Sequence, residues 1–481
     1  MTLLLLLEMV ASTMANRLAI GGRRDGFSYQ GLHDRAATGA GLLVRRGVRH
    51  LAYVGSNRAA FPVGLFASAW AGIPFIPLNY RLSRDQLLDL LGRHEGLLVL
   101  TDDDVDLGLD ADLDVQVLGL GEWEAETAEL TRAPEPCTTD GDDIAALLYT
   151  SGTTAAPKAV VLRHRHLASY VIGSVELAGA ADDDAALVSV PPYHVAGLAG
   201  VVSNVYSGRR IVYLPSFTPQ AWLATVADEG ITHAMVVPTM LARIVDHLDG
   251  TTTTATAEVP TLRSLAYGGA RMPATVLERA LAAFPKTDFV NAYGLTETSS
   301  TIAVLGPDDH RAADRRRLSS VGRVVPGVEV DVRDGEIWVR GEQVSGEYLG
   351  AAVALDADGW FPTCDRGWLD DDGYLYVEGR TDDTIIRGGE NIAPAEIEDV
   401  LLGHPQVDQA AVVGIPDEEW GQRIAAVVVP VPVAGVGVGV GAELTPEDLR
   451  DWARPLLRTA KTPDVIVFRS ELPYTETGKL L

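Results

Sequence analysis

Cysteine is nearly missing from this chain: there are two, Cys137 and Cys364. Two cysteines make no disulfide framework and show no metal-ligand spacing, so the expected setting is a reducing cytoplasm. Positive charge is scarce too. Lys and Arg total 39 against 66 Asp and Glu, a net charge of −27. That balance argues against a nucleic-acid partner, which needs a basic face, and against an anionic membrane surface. No apolar run approaches the length of a membrane span. The opening MTLLLLLEMV halts at Glu8, with no Lys or Arg before its apolar run and no clear cleavage segment. It is read as an amphipathic first helix. Long-period repeats are missing, and the ten histidines share no spacing that suggests a metal site.

What remains is an ordinary globular composition, 47% hydrophobic and 22% charged. At 481 residues the chain predicts two or three domains. Between residues 50 and 80 strand, turn and helix alternate: Leu51–Val54, Gly55-Ser56-Asn57, Ala60–Ala71, then Ile73–Pro77. Further strands are expected at Ala186–Val190, Arg210–Leu214 and Thr232–Val237. The fold class is α/β: doubly wound layers with ligands at the carboxyl ends of strands. After about Val330 short strands and turns take over, giving a β-rich subdomain at about 320–380. Asp382-Asp383 then opens a compact α+β segment. The expected division is therefore 1–380 and 381–481. The acidic run Asp102–Asp114, TTTTATAE (Thr251–Glu258) and the Arg-rich bend Arg311–Arg317 read as plain surface, and GVGVGVG (Gly435–Gly441) as an extended loop.

The most informative stretch is YTSGTTAAPKAV, Tyr149 to Val160. Thr150, Ser151, Gly152, Thr153, Thr154 and Lys158 offer hydroxyls, a flexible backbone and a cation, which suits the phosphates of a nucleotide. The same composition also suits a polar surface loop. A second motif is NAYGLTETSS, Asn291 to Ser300. There an aromatic face could stack on a base, an amide could read its edge and a carboxylate could hold Mg²⁺. A polar loop with one structural tyrosine is the alternative. Other segments are SLAYGGARMP (Ser264–Pro273), DGWFPTCDRGWLDDDGYLYVEGR (Asp358–Arg380), RTDDTIIRGGENIAPAEIE (Arg380–Glu398), PPYHVAGL (Pro191–Leu198) and the terminal PYTETGKLL (Pro473–Leu481).

Together, and in this order, these segments resemble the adenylate-forming enzymes: acyl- and aryl-CoA synthetases, luciferases and peptide-synthetase adenylation domains. The resemblance covers essentially the whole chain. It implies a large N-terminal domain and a small mobile C-terminal domain. It implies ATP-dependent activation of a carboxylic acid to an acyl-adenylate with release of pyrophosphate, then transfer to a thiol, with coenzyme A the expected acceptor. By resemblance, Asn291, Ala292, Tyr293, Gly294, Gly269 and Ala270 line the nucleotide site. Thr296 contacts phosphate, Glu297 ligates Mg²⁺, and Asp365 with Arg380 holds the ribose. Lys158 handles pyrophosphate. Lys479 is the mobile catalytic lysine, Asp382 the hinge, and Gly388-Gly389 the thiol tunnel. His194, Gly268 and Thr298 face the acyl group, in a pocket built near Tyr193, Val237, Tyr267, Asn291 and Ala292. No acid stands beside Tyr193 and His194, so an α-amino acid is not the expected substrate; small wall residues permit a bulky hydrophobic or cyclic acid.

The chain departs from the family pattern at Ala155 and Ala159, both glycine in relatives, at Cys364, also glycine there, and at Ala460, where an aromatic is common. If the loop glycines use positive φ, alanine costs about 1 kcal/mol or more. These departures leave two alternatives: an enzyme that passes its adenylate to another protein or carrier thiol, and a silent adenylate-binding scaffold. The oligomeric state stays open, a homodimer being one option by analogy alone.

Overall fold

The structure is a computed structural model. It describes residues 1–103, 107, 114–129, 136–150, 157–250, 259–387, 390–417, 420–431, 444–457 and 461–473. The opening leucines form the helix Leu3–Met14, begun by Thr2, whose side chain accepts from the backbone of Leu5. Leu3, Leu6, Leu7 and Val10 are fully buried against the helix Tyr29–Arg45 and its neighbours. The apolar start thus serves as core.

Two sheets carry the larger part of the molecule. In the first, six strands run with all neighbours parallel except the last pair, Ile144–Thr150 against Lys158–Arg163. The expected strand–helix–strand unit is present as His50–Val54, Ala60–Ala71 and Phe75–Pro77. Eleven of the twelve residues of that helix are buried, as a helix between apolar layers requires. Gly72 ends it in the left-handed region at φ 69°.

The second sheet has thirteen strands. Its parallel half includes Ala185–Val188, Arg210–Tyr213, His233–Val236, Ser264–Gly268 and Asp288–Leu295. From Ser300–Leu305 onward the pairing is antiparallel, through Gly322–Val324, Tyr374–Arg380, Phe361–Leu369, Glu336–Gly341 and Val328–Arg333. The β-rich part is therefore continuous with the α/β sheet, and the junction falls at the end of Asp288–Leu295. The Arg-rich bend is more than plain surface. Arg311 donates to the carbonyls of Leu281, Phe284 and Thr287 at 3.2, 2.9 and 3.0 Å, where the helix Ala274–Ala283 runs out of internal partners.

Residues from Ile385 onward bury a core of their own. Ile385, Ile392, Ile397, Leu401, Ile424 and Leu449 are wholly buried in it. It is built on Val407–Asp417, Gly421–Pro430 and Val465–Phe468, backed by the helices Pro394–Leu402 and Pro446–Ala453. Pro394 opens its helix at the first turn, as the sequence predicts. Arg271 forms an ion pair with Asp399 of that helix.

Candidate active site

Asn291, Ala292, Tyr293 and Gly294 lie on the strand Asp288–Leu295, at the junction of the parallel and antiparallel halves. Across the sheet, Asp365 on Phe361–Leu369 is in register with Arg380, the last residue of Tyr374–Arg380. The Tyr293 hydroxyl donates to Asp365 Oδ2 at 2.6 Å. Arg380 Nη1 lies 3.4 Å from Asp365 Oδ1. The carboxylate, only 7% exposed, is thus gripped at both oxygens. Burial, then the Asp365 charge, holds the Tyr293 phenol well above its ordinary pKa, so it stays a donor.

A local irregularity aims Asp365. The register shifts between Arg366 and Gly367, and a bulge of this kind redirects a side chain. Cys364 sits at φ 58°, a conformation that favours glycine and costs other residues about 1 kcal/mol or more. That backbone suits the glycine that the resemblance implies at this position. The Cys364 N–H donates to Glu336 Oε1 at 3.1 Å, and its carbonyl accepts from Thr381 at 2.8 Å. Burial raises the thiol's pKa, so it is held as a thiol and not as a nucleophilic thiolate.

The second cluster forms around Tyr348, which nothing in the sequence marked. Its hydroxyl donates to Glu297 Oε1 at 2.8 Å, and Lys158 Nζ lies 5.5 Å from its ring centre. A backbone staple explains the placement. Val160 bridges to Tyr348, Leu349 donates to Ala159 O at 2.9 Å, and Val161 donates to Glu347 O at 2.9 Å. This ties residues 347–349 to the six-stranded sheet, while Ser345 N–H donates to Glu297 O at 2.8 Å. Burial and then Glu297 raise the Tyr348 pKa, with Cys364 and Arg380 close enough to contribute. Lys158 and Glu297 therefore meet at one tyrosine, with Arg380, the partner of Asp365, nearby.

Glu297 belongs to the 3₁₀ turn Thr296–Thr298. Thr298 was expected against the acyl group. It is fully buried, and its hydroxyl accepts from Leu295 N and donates to Ser300 O at 2.7 Å. Thr298 therefore caps the turn and does not wall a pocket. Gln343 Nε2 donates to the Thr298 and Thr301 carbonyls at 3.0 and 2.8 Å, and Ser299 at φ 56° donates to Gln343 O at 2.9 Å. Thr296 is half-buried beside them.

On the other side of Asn291 lie Gly268, Gly269 and Ala270. A Cβ on Gly268 would meet Ala292 O at 2.3 Å, so the neighbouring strand itself demands glycine there. Gly269 has φ 84° with Val237 the nearest neighbour of an added Cβ, at 3.8 Å. Tyr267 was expected in the pocket wall; it is 1% exposed and locked to His310 Nε2 at 2.9 Å, and so belongs to the core. His194 is different. It precedes the helix Val195–Ser207, its ring centre lies 4.7 Å from that of Tyr193 at a tilt of 46°, and its buried Nε2 has no hydrogen-bond partner among the described residues. Burial pushes its pKa down to about 4, leaving it neutral near pH 7. An orphaned buried nitrogen is uncommon and calls for an explanation.

Asp382 occupies the exposed turn after Arg380, where Asp383 N–H donates to Arg380 O at 3.2 Å. Ala159 lies in an extended strand opposite Tyr149, so the positive-φ penalty does not arise there. Ser151, Gly152, Thr153, Thr154, Ala155, Gly388, Gly389, Ala460 and Lys479 lie outside the described residues, as do TTTTATAE, Gly435–Gly441 and most of the acidic run. Among the described residues no group of three or more His, Cys, Asp or Glu could hold a metal ion. No described helix is long and apolar enough to cross a membrane. An open concavity of about 880 Å³ by Arg17, Arg23 and Asp182–Asp184 lies apart from these clusters; Arg17 pairs with Asp182 at 3.7 Å within it.

Comparison with known proteins identifies the family. Residues 7–349 match the AMP-binding enzyme family and residues 396–479 its C-terminal domain. A feruloyl-CoA synthase of Amycolatopsis sp is 34% identical over 94% of this chain and 92% of its own length. A fatty acid–[acyl-carrier-protein] ligase, ScoC of Streptomyces coeruleorubidus, is 32% identical over 94% and 90%. The o-succinylbenzoate CoA synthetase of Bacillus subtilis, solved with its acyl-adenylate intermediate, superimposes with TM-score 0.84 at 28% identity, covering 99% of this chain and 96% of that one. The chain belongs to the AMP-binding enzyme family, as an acid–thiol ligase that works through an acyl-adenylate.

Proposed function

We propose that this ligase activates a bulky hydrophobic or cyclic carboxylic acid with ATP and Mg²⁺ and transfers the acyl group to coenzyme A. The observation that carries the assignment of residues is that Tyr348 joins Lys158 and Glu297 and lies near Arg380, which pairs with Asp365. Asp365 takes the two ribose hydroxyls, since a carboxylate offers two acceptors to two donors. Asn291, Tyr293 and the backbone from Gly268 to Ala270 face the base. Glu297 binds Mg²⁺ together with the substrate's phosphates. One carboxylate fits, because Mg²⁺ in such sites is held by one or two carboxylates plus phosphate oxygens and water. The Bacillus subtilis synthetase, also solved with ATP and a magnesium ion, supports this reading.

Thr150, Ser151, Gly152, Thr153, Thr154, Thr296 and Lys158 stabilise the departing pyrophosphate, and Lys479 steadies the carboxylate as it attacks the α-phosphorus. Catalysis is mostly positioning and charge neutralisation. The domain boundary falls at 380/381. Rotation about Asp382 replaces Lys479 by Gly388-Gly389 for thiol attack. His194, neutral and unpartnered, offers its Nε2 to a polar group of the acid. The protein works in the cytoplasm, as a homodimer by analogy with its relatives.

A hydroxamate-trapping screen over ferulate, 2-succinylbenzoate and fatty acids tests the reading. The expected result is ATP-dependent hydroxamate with an aryl or cyclic acid, and thioester on adding coenzyme A. No hydroxamate with any acid contradicts it. The carrier-protein reading is favoured by the likeness to ScoC. Brisk adenylation with negligible coenzyme A thioester would select it.

A further inference from the structure

We propose that Arg93 is a positioning residue for the phosphate end of the site: it braces both stems of the Thr150–Lys158 hairpin and so fixes where Thr150 and Lys158 meet the β- and γ-phosphates. The proposal rests on the nucleotide reading given above. Thr150 and Lys158 are the last facing pair of the hairpin, at the edge of the six-stranded sheet. Lys158 is exposed, so the flanking backbone must hold it in place. Arg93 Nη1 donates to Pro157 O at 2.9 Å, one residue before Lys158. The same guanidinium lies 5.9 Å from the ring of Tyr149, one residue before Thr150.

The brace is itself anchored. Arg93 Nη2 donates to Asp89 Oδ2 at 2.6 Å, a charge-assisted bond that fixes the planar fork. Asp89 lies on the helix Arg84–Leu91, which begins with a reciprocal Ser83/Gln86 capping box. Leu87, Leu90 and Leu91 of that helix pack in one core with Leu147, and Tyr149 packs against it. Next to Arg93, His94 Nε2 shares a 2.8 Å hydrogen bond with the Tyr149 hydroxyl. Burial, with His50 and Arg93 adding to it, pushes the His94 pKa down to about 4, so this contact stays neutral and unbroken near pH 7. Both stems thus lean on one rigid helix end, and none of these contacts lies at the ribose or base. A misplacement of about 1 Å in a group this close to the chemistry can cost about 10²-fold in rate.

The test compares ATP·Mg²⁺ with AMP, which lacks the β- and γ-phosphates, by calorimetry on the full chain. Arg93→Ala is expected to weaken ATP·Mg²⁺ about tenfold and AMP less than twofold, with Arg93→Lys recovering part of the loss. Equal weakening of both nucleotides reveals a general structural role and overturns the proposal, as does unchanged ATP affinity. If Arg93→Ala does not fold, Tyr149→Phe carries the same comparison, with about threefold weakening expected for ATP·Mg²⁺ alone. Failure of the wild-type chain to bind either nucleotide overturns the underlying nucleotide reading, a result distinct from the others.

Discussion

Two phenol–carboxylate pairs border the site and are built differently. Tyr293–Asp365 is closed: the carboxylate is buried, and Arg380 takes its second oxygen. Tyr348–Glu297 is open: the phenol engages Oε1 of Glu297, the middle residue of a 3₁₀ turn, and a lysine rides over the ring. A closed pair is pre-organised, so its two oxygens already face one way before any ligand arrives. An open pair keeps an oxygen for an incoming cation. The contrast fits a sugar that never moves at one end, and at the other a metal and leaving group that come and go.

The largest expected effect comes from breaking the closed pair. Asp365→Ala leaves Arg380 without its carboxylate and is expected to lower kcat/KM for ATP by about 10²–10³-fold, the scale of losing a well-placed polar partner in such a site. Comparing ATP with 2′-deoxy-ATP sharpens this: the wild-type protein should discriminate between them and Asp365→Ala should not. Persistent discrimination in the variant contradicts the ribose assignment. Next comes Glu297→Gln, expected to reduce adenylation about 10²-fold and to raise the Mg²⁺ concentration at half-maximal rate. An unchanged Mg²⁺ titration rules out the metal role. Removing the phenols is milder. Tyr348→Phe should cost about threefold to tenfold in adenylation rate, since a typical hydrogen bond is worth about 0.5–1.5 kcal/mol net. Tyr293→Phe should cost less, because Arg380 still holds Asp365; a larger loss there than for Tyr348→Phe would reverse the open/closed distinction.

Mild acid should act away from both pairs. His94, His164, His166, His194 and His233 all have pKa values pushed down to about 4, chiefly by burial. Unfolded, each binds a proton near its ordinary value of about 6.5. Their contribution is therefore whole above about pH 6.5 and is lost as pH falls toward 4, at up to about 1.4 kcal/mol per pH unit per histidine. The denaturant midpoint should be lower at pH 5.5 than at pH 7.5, and equal midpoints contradict neutral burial.

Much of the architecture was legible in local pattern. The helix Ala60–Ala71 is a compact apolar run closed by a glycine, and the strands were placed within a residue or two because apolar runs between turn residues mark them. The family motifs drew attention to Lys158, Glu297, Asp365 and Arg380. Tyr348, which joins Lys158 and Glu297, was invisible, because its importance comes from a bridge to Val160 nearly two hundred residues away. Thr298 and Tyr267 were misplaced for a related reason. A residue inside a functional motif can serve the motif's own backbone, and only coordinates reveal that the Thr298 hydroxyl is already taken or that Tyr267 points to His310. Arg311 looked like solvent-facing charge, yet it finishes a helix end.

One backbone bond ties the sugar clamp to the start of the next segment. Thr381 N–H is fastened to the carbonyl of Cys364, the residue immediately before Asp365. The first link of the proposed pivot is therefore fastened to the strand that carries Asp365. Under the rotation about Asp382 proposed above, this fastening keeps the nucleoside site in place, so one adenylate would meet two faces of the same small domain in turn without being released between them.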